Sequence, residues 1–278
     1  MAVIAIASFK GSPGVTTTAL ALGAVWPRAT GRCAVVVEAD PSGGDLAYRA
    51  ITPQGRPPAD TPNLVTLAAG VRKHVQQAER ARGVVAVHSQ RLACGAAVVL
   101  GMGTQVQARG LAALWQPLAD AFARSADDVL LDLGRLDPAH PAFVLARSAD
   151  LVVLVLTASM GSVLHARNNM ASMASGLAGR PTGPAICPVL VGPRQSALRD
   201  AVEVTELLVG SGAPLHPVMT LADDARAVAA LVDSALTPRL ARSTLLRSVS
   251  DVAVQLADRL PPAARDHRIN TTQPGVSR

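Results

Sequence analysis

Lysine is almost absent from this chain: of 26 basic residues only Lys10 and Lys73 are lysines, and the other 24 are arginines. Aromatic residues number six, so the core must be built from Ala, Val and Leu, as suits strands covered by helices on both faces. Cysteines are three, Cys33, Cys94 and Cys187, far apart and without a C-x-x-C pair. That excludes a disulfide framework and leads to an expectation of reduced thiols in a cytoplasmic protein. The six histidines form no H-E-x-x-H or other paired metal spacing. No apolar run reaches the roughly 18 residues that cross a bilayer. The first apolar run ends at Ser8 with no basic stretch before it, so no signal peptide is expected either. The net charge of +6 is spread along the chain, with no run of five basic residues and no aromatic residues between the arginines. This reads as a solvated basic surface, compatible with weak attraction to DNA or anionic lipid.

What is present is a regular alternation. Short Val/Leu/Ile runs at 2–8, 33–39, 96–100, 128–133, 150–156, 185–191 and 214–219 read as strands. Helices are expected at 16–26, stopped by Pro27, and at 105–124, 160–176, 195–210, 223–234 and 238–260. Four prolines make 51–62 a loop. Beyond it we expect a short strand at 64–68 and a helix at 70–82, while 84–92 is ambiguous. The fold class that follows is α/β: a single domain over 1–260 with a mostly parallel, twisted sheet of about seven or eight strands and helices on both faces. The polar, proline-containing stretch 261–278 is expected to be a disordered tail.

The most informative stretch follows the first strand: Lys10-Gly11-Ser12-Pro13-Gly14-Val15-Thr16-Thr17. A strand that runs through a glycine-bearing loop into a helix aims backbone N–H groups and the positive end of the helix dipole at one spot, which favours an anion such as a phosphate. Gly11 and Gly14 permit the tight turn. Thr16 stands where such loops place a magnesium-binding hydroxyl, and Thr17 where a phosphate oxygen can be hydrogen-bonded. Pro13 removes one backbone donor. The alternative is a plain strand-to-helix turn capped by Ser12 or a threonine. Two further strands end in acids: Glu38-Ala39-Asp40-Pro41-Ser42-Gly43-Gly44-Asp45 and Asp132-Leu133-Gly134. Acids at the carboxyl ends of neighbouring parallel strands lie in the crevice where open α/β sheets bind ligands. A dinucleotide-binding oxidoreductase would need G-x-G-x-x-G, whereas this loop offers only Gly-x-x-Gly.

This ordered set resembles the deviant-Walker P-loop ATPases of the ParA/MinD group. Their loop begins with an extra signature lysine, matched by Lys10, with Gly11, Gly14, Thr16 and Thr17 in place; Ser12 replaces a glycine and Val15 replaces the Walker lysine. Asp40 matches the second aspartate of the D-x-D-P element, which activates the attacking water, and Glu38 stands at the first. Asp132 matches the Walker B aspartate. Similar text continues in Ala149-Asp150-Leu151-Val152-Val153 and in Leu215-His216-Pro217 before Asp223-Asp224, so the likeness spans roughly 1–235.

The resemblance implies ATP or ADP with Mg2+ held by residues 10–17, with Thr16, Asp40 and Asp132 around the metal and Asp40 and Lys10 in catalytic roles. It implies a homodimer in which Lys10 reaches the phosphates of the opposite subunit. Because Val15 supplies neither charge nor donor, hydrolysis is expected to be weak or absent, with arginine rescue, for instance by Arg135, as the open route. The family's adenine-reading Asn has no counterpart in Val189-Leu190-Val191-Gly192-Pro193. A positional switch or assembly factor follows, with protein partners in a polar assembly or pilus-secretion complex, as in the TadZ/CpaE-like subgroup. The alternatives are an active partition ATPase that binds DNA non-specifically and a scaffold that binds no nucleotide. The 238–260 helix carries an apolar stripe with arginines beside it. It reads as a helix packed on the sheet or, in the manner of MinD-like proteins, as an element targeting the inner face of the membrane.

Overall fold

The computed structural model describes residues 1–10, 14–74, 78–178, 183–211, 213 and 215–261. Gly11, Ser12 and Pro13 of the expected loop lie outside the described residues, as does the expected tail beyond Pro261. In chain order the elements are β1 (Val3–Ser8), α1 (Val15–Thr30), β2 (Ala34–Glu38), α2 (Leu46–Arg49), α3 (Leu64–His74), α4 (Ala78–Val87), β3 (Gln90–Arg91), β4 (Ala97–Val99), α5 (Gln105–Gly110) and α6 (Trp115–Phe122). There follow β5 (Asp128–Arg135), α7 (Phe143–Ser148), β6 (Leu151–Thr157), α8 (Met160–Leu177), β7 (Ala185–Gly192), α9 (Ala197–Val209), β8 (Met219–Ala222), α10 (Ala225–Asp233), α11 (Pro238–Ala241) and α12 (Thr244–Arg259).

The strands form one eight-stranded sheet in the order β3-β4-β2-β5-β1-β6-β7-β8. All neighbours are parallel except β3, which pairs antiparallel with β4 at the edge. Side chains alternate across it, so that Val3, Ala5 and Ala7 face one apolar layer and Ile4 and Ile6 the other. The first layer is closed by α3, α4 and α6–α9, the second by α1 and α10–α12. The apolar stripe of α12 (Leu245, Leu246, Val249, Val252, Ala253 and Leu256) is buried in that second layer. The stripe therefore belongs to the core and offers no face to a membrane. Among the described residues no helix is long and apolar enough to cross one.

Several boundaries differ from expectation for identifiable reasons. Helix α1 runs through Pro27 to Thr30. Trp26 is fully buried and its indole donates to Asp128 at 2.9 Å, which pins the turn at the cost of the one hydrogen bond that proline cannot donate. The strand expected at 64–68 is the start of α3. Asn63 caps it reciprocally with Thr66, Thr66 N donating to Asn63 Oδ1 at 3.0 Å and Asn63 N to Thr66 Oγ1 at 2.9 Å. Leu64, Leu67, Ala68 and Val71 then form a buried helical stripe. The helix expected at 70–82 is split between the ends of α3 and α4, with 75–77 outside the described residues. The ambiguous 84–92 resolves into the end of α4 and the edge strand β3.

The helix expected at 105–124 is broken by a 3-10 turn over Ala112–Leu114. Pro117 fits only the first turn of a new helix, so α6 must begin just before it. Among the described residues of 214–219, Leu215 makes an isolated bridge to the sheet, and β8 begins at Met219, past the donor-less Pro217. The helix expected at 238–260 divides at Ser243, whose hydroxyl accepts from Leu246 N at 3.2 Å and starts α12 afresh.

Candidate functional site

The site lies at the carboxyl ends of the central strands, where β2, β5 and β1 run side by side. Register sets Asp132 of β5 beside Ile6 of β1 and beside Glu38 of β2. From the other direction comes α1, whose N-cap is Gly14 in the left-handed region at φ 88°, without any side-chain cap. Thr18 N closes the first turn onto Gly14 O at 2.8 Å. The donors before it have no intrahelical partner and are available to an anion.

Asp132 is 1% exposed. Its Oδ1 accepts from Gly134 N at 3.0 Å, and the Thr16 hydroxyl lies close enough to lower its pKa. Burial, reinforced by the Glu38 and Asp40 carboxylates, pushes its pKa up to about 7, against the opposing pull of Thr16 and Gly134. Thr16 and Asp132 are thus brought together, as the sequence suggested. Asp40 closes the group. Its Oδ1 accepts from Ser42 N at 2.7 Å, and its carboxylate fills the space where a Cβ on Gly134 would stand. Gly134 has φ 57°, so both its backbone and its missing side chain make room for Asp40. Burial also raises the Asp40 pKa, assisted by the nearby Asp45.

Glu38 does something else. It is 1% exposed, and its Oε1 accepts from Asp45 N and Leu46 N, both at 3.0 Å, while Oε2 accepts from Gly101 N at 2.9 Å. This carboxylate is a fastener that ties the Asp40–Asp45 loop and the start of α2 to the loop after β4. Burial raises its pKa, opposed by those three hydrogen bonds. Glu38→Gln turns one acceptor oxygen into a donor facing an N–H. We expect it to cost about 1–3 kcal/mol in urea unfolding; an unchanged midpoint would show that the latch is not fastened.

A cleft of about 460 Å³ opens between these groups, lined by Ser8, Gly14–Thr17, Asp40, Ser42, Asp45, Arg49, Gly134 and Arg135. Val15 lines it with its edge but is 6% exposed and packed into the α1 layer of the core. Lys10 stands apart, exposed, with its ammonium at the first turn of α8, 3.8 Å from where a Cβ on Gly161 would be. On the other side of Gly14 and Thr17 a second cavity of about 370 Å³ is lined by Thr157 and Ala158, Val191–Pro193, and Leu221–Asp224. These come from the ends of β6, β7 and β8. Asp224, which caps α10, also accepts from the Thr244 hydroxyl at 2.7 Å, and that bond above all lowers its pKa.

Among the described residues no three His, Cys, Asp or Glu side chains are grouped as metal ligands. The oxygens of Thr16, Asp132 and Asp40 suit magnesium only in company with phosphate oxygens and water, which is how this hard ion is usually held. Sequence reasoning did not single out Arg49 or Thr157. Arg49 follows the acidic loop by one helical turn, with no local mark to set it apart, and Thr157 was legible only as the polar end of a buried strand.

No family model matches the sequence, and no curated protein matches it. Solved structures do resemble the fold. A ParA family ATPase from Chlorobium tepidum superposes with a TM-score of 0.69 at 15% identity, over 92% of this chain and 98% of that one. The cell division ATPase MinD of Pyrococcus furiosus gives 0.61 at 18% identity, over 92% and 98%. The septum site-determining protein MinD of Pyrococcus horikoshii, complexed with Mg-ADP, gives 0.60 at 16% identity, over 92% and 95%. The chain therefore has the α/β fold of the ParA/MinD P-loop ATPases, with its acidic strand ends and the first helix converging on one cleft.

Proposed function

We propose that residues 1–260 form a ParA/MinD-like nucleotide-binding domain that holds ATP or ADP with Mg2+ and hydrolyses it slowly or not at all. The observation that carries this reading is the convergence of three groups at the mouth of the strand–loop–helix: Thr16 and Asp40 line one cleft, and the buried Asp132 lies close to both. When bound, magnesium would neutralise phosphate charge. Thr16 would present its hydroxyl to it, Asp132 would orient that hydroxyl, and Asp40 would hold a water at the cleft wall. The N–H groups of the first turn of α1 would receive the phosphates. The second cavity, which shares Gly14 and Thr17 with the first, has the size and the largely apolar lining that suit a base. At position 15 there is no charge to stabilise the transferring phosphoryl group, which supports binding over turnover.

In this reading the protein is a dimerising positional switch or assembly factor, cytoplasmic or peripheral to the inner face of the membrane. Its partners would be those of a pilus or secretion complex, in the manner of TadZ/CpaE-like proteins. Lys10, exposed and outside its own cleft, would serve a second copy. Sedimentation tests this: Mg-ATP is expected to convert monomer to dimer, and Lys10→Ala is expected to stay monomeric while still binding nucleotide. A monomer at all nucleotide concentrations would remove the switch. A steady-state hydrolysis rate that rises with added DNA would favour the partition ATPase instead.

A further inference from the structure

The cleft has a charge problem. Val15 brings no cation, while Asp40 and Asp45 line the walls and the buried Asp132 lies close behind Asp40 and Thr16. These carboxylates alone would repel a polyphosphate. Among the described residues, the only cationic side chains lining the cleft are Arg49 and Arg135. Both are exposed, and neither guanidinium makes a hydrogen bond or ion pair with another described residue, although Asp40 and Asp45 line the same cleft.

Their backbones are fixed. Arg49 ends α2, whose first turn is tied down by Glu38 through Asp45 N and Leu46 N and closed by Ala50 N on Leu46 O at 2.9 Å. Arg135 ends β5, just past the left-handed Gly134, with its Cα in register with Ser8, where β1 gives way to the loop. Two arginines on separate elements thus line one cleft with their forks uncommitted. A guanidinium matches a phosphate with paired N–H donors, and it stays charged at every working pH.

We propose that Arg49 and Arg135 form a two-armed cationic clamp on the phosphates, taking over in cis the charge that position 15 does not supply. This rests on the nucleotide reading above. It also explains how the chain can do without a lysine there: the cations approach from the loop side, and the core side of α1 keeps its valine.

Calorimetric titration of the full chain with Mg-ATP tests it. Arg49→Gln and Arg135→Gln are each expected to weaken binding roughly tenfold, and the double variant roughly a hundredfold, the scale of one and two charge-assisted contacts. The double variant should also bind with a shallower salt dependence. Arg→Lys at either site should retain part of the affinity, keeping the charge without the fork, and Arg72→Gln, on the exposed face of α3, should change nothing. Unchanged melting temperatures will show that the exposed substitutions leave the fold intact. If the native chain binds Mg-ATP and the double variant binds it within twofold, the clamp is wrong and the nucleotide reading stands. If the native chain does not bind at all, both fall.

Discussion

Asp132→Asn is expected to make the nucleotide-free protein more stable at pH 8, by on the order of 3 kcal/mol, while removing magnesium-dependent binding. The carboxyl has its pKa pushed up to about 7, chiefly by burial. Its ordinary value is 3.8. Between those two values the folded protein keeps a proton that the unfolded chain has released. Stability therefore falls as pH rises through that window, and above it the folded state carries a buried charge with no cation beside it. Asparagine keeps an oxygen for Gly134 N but never charges. The gain over the native chain should be largest at pH 8, shrink through pH 6 and vanish near pH 4, as read by urea melts in EDTA. Equal stability at pH 8 would mean that Asp132 is already compensated and that the site does not await a cation. A residue that costs stability when charged is readily understood as one kept for binding.

Val15→Lys is expected to raise Mg-ATP turnover roughly a hundredfold over the native chain, the usual worth of one preorganised cationic group at a phosphoryl-transfer site. The proposed frame is otherwise in place, with Asp40 set against Gly134 and Asp132 close to Thr16. The substitution has a cost. Val15 is packed into the α1 layer, so replacing it should destabilise the free protein by about 1–2 kcal/mol. Because Val15 also lines the cleft, the lysine stem can lie along the apolar edge and deliver its ammonium to the phosphates. A variant that folds and binds Mg-ATP yet turns over no faster would show that more than the lysine is missing.

Much of this arrangement was legible in the sequence, and the losses have physical causes. The parallel sheet announced itself because strands buried on both faces are unbroken aliphatic runs, as in Leu151–Leu156. Asp40, Asp132 and Thr16 could be read as one site because strand ends in a parallel sheet share one crevice. Glu38 was read as a companion acid, and its true task as a latch for Asp45, Leu46 and Gly101 could not be seen, since those partners are joined only by folding. Helix boundaries failed where tertiary contacts overrode local signals: Trp26 on Asp128 carries α1 past Pro27. At α3 the signal was present in the Asn63–Thr66 cap and the 64/67/68/71 spacing, but the short run Leu64–Ala68 fits both periods. Arg49 was hidden because an arginine among 24 has no local mark; only the path of α2 brings it to the cleft.

The account stands on nucleotide binding without efficient turnover, and the titration of the native chain with ATP tests that most directly, in magnesium and again in EDTA. We expect saturable heat with magnesium, a much weaker response without it, and a hydrolysis rate under the same conditions near background. No heat with either ATP or ADP at millimolar concentration would contradict the account, and so would turnover at the rates of an unimpaired ATPase.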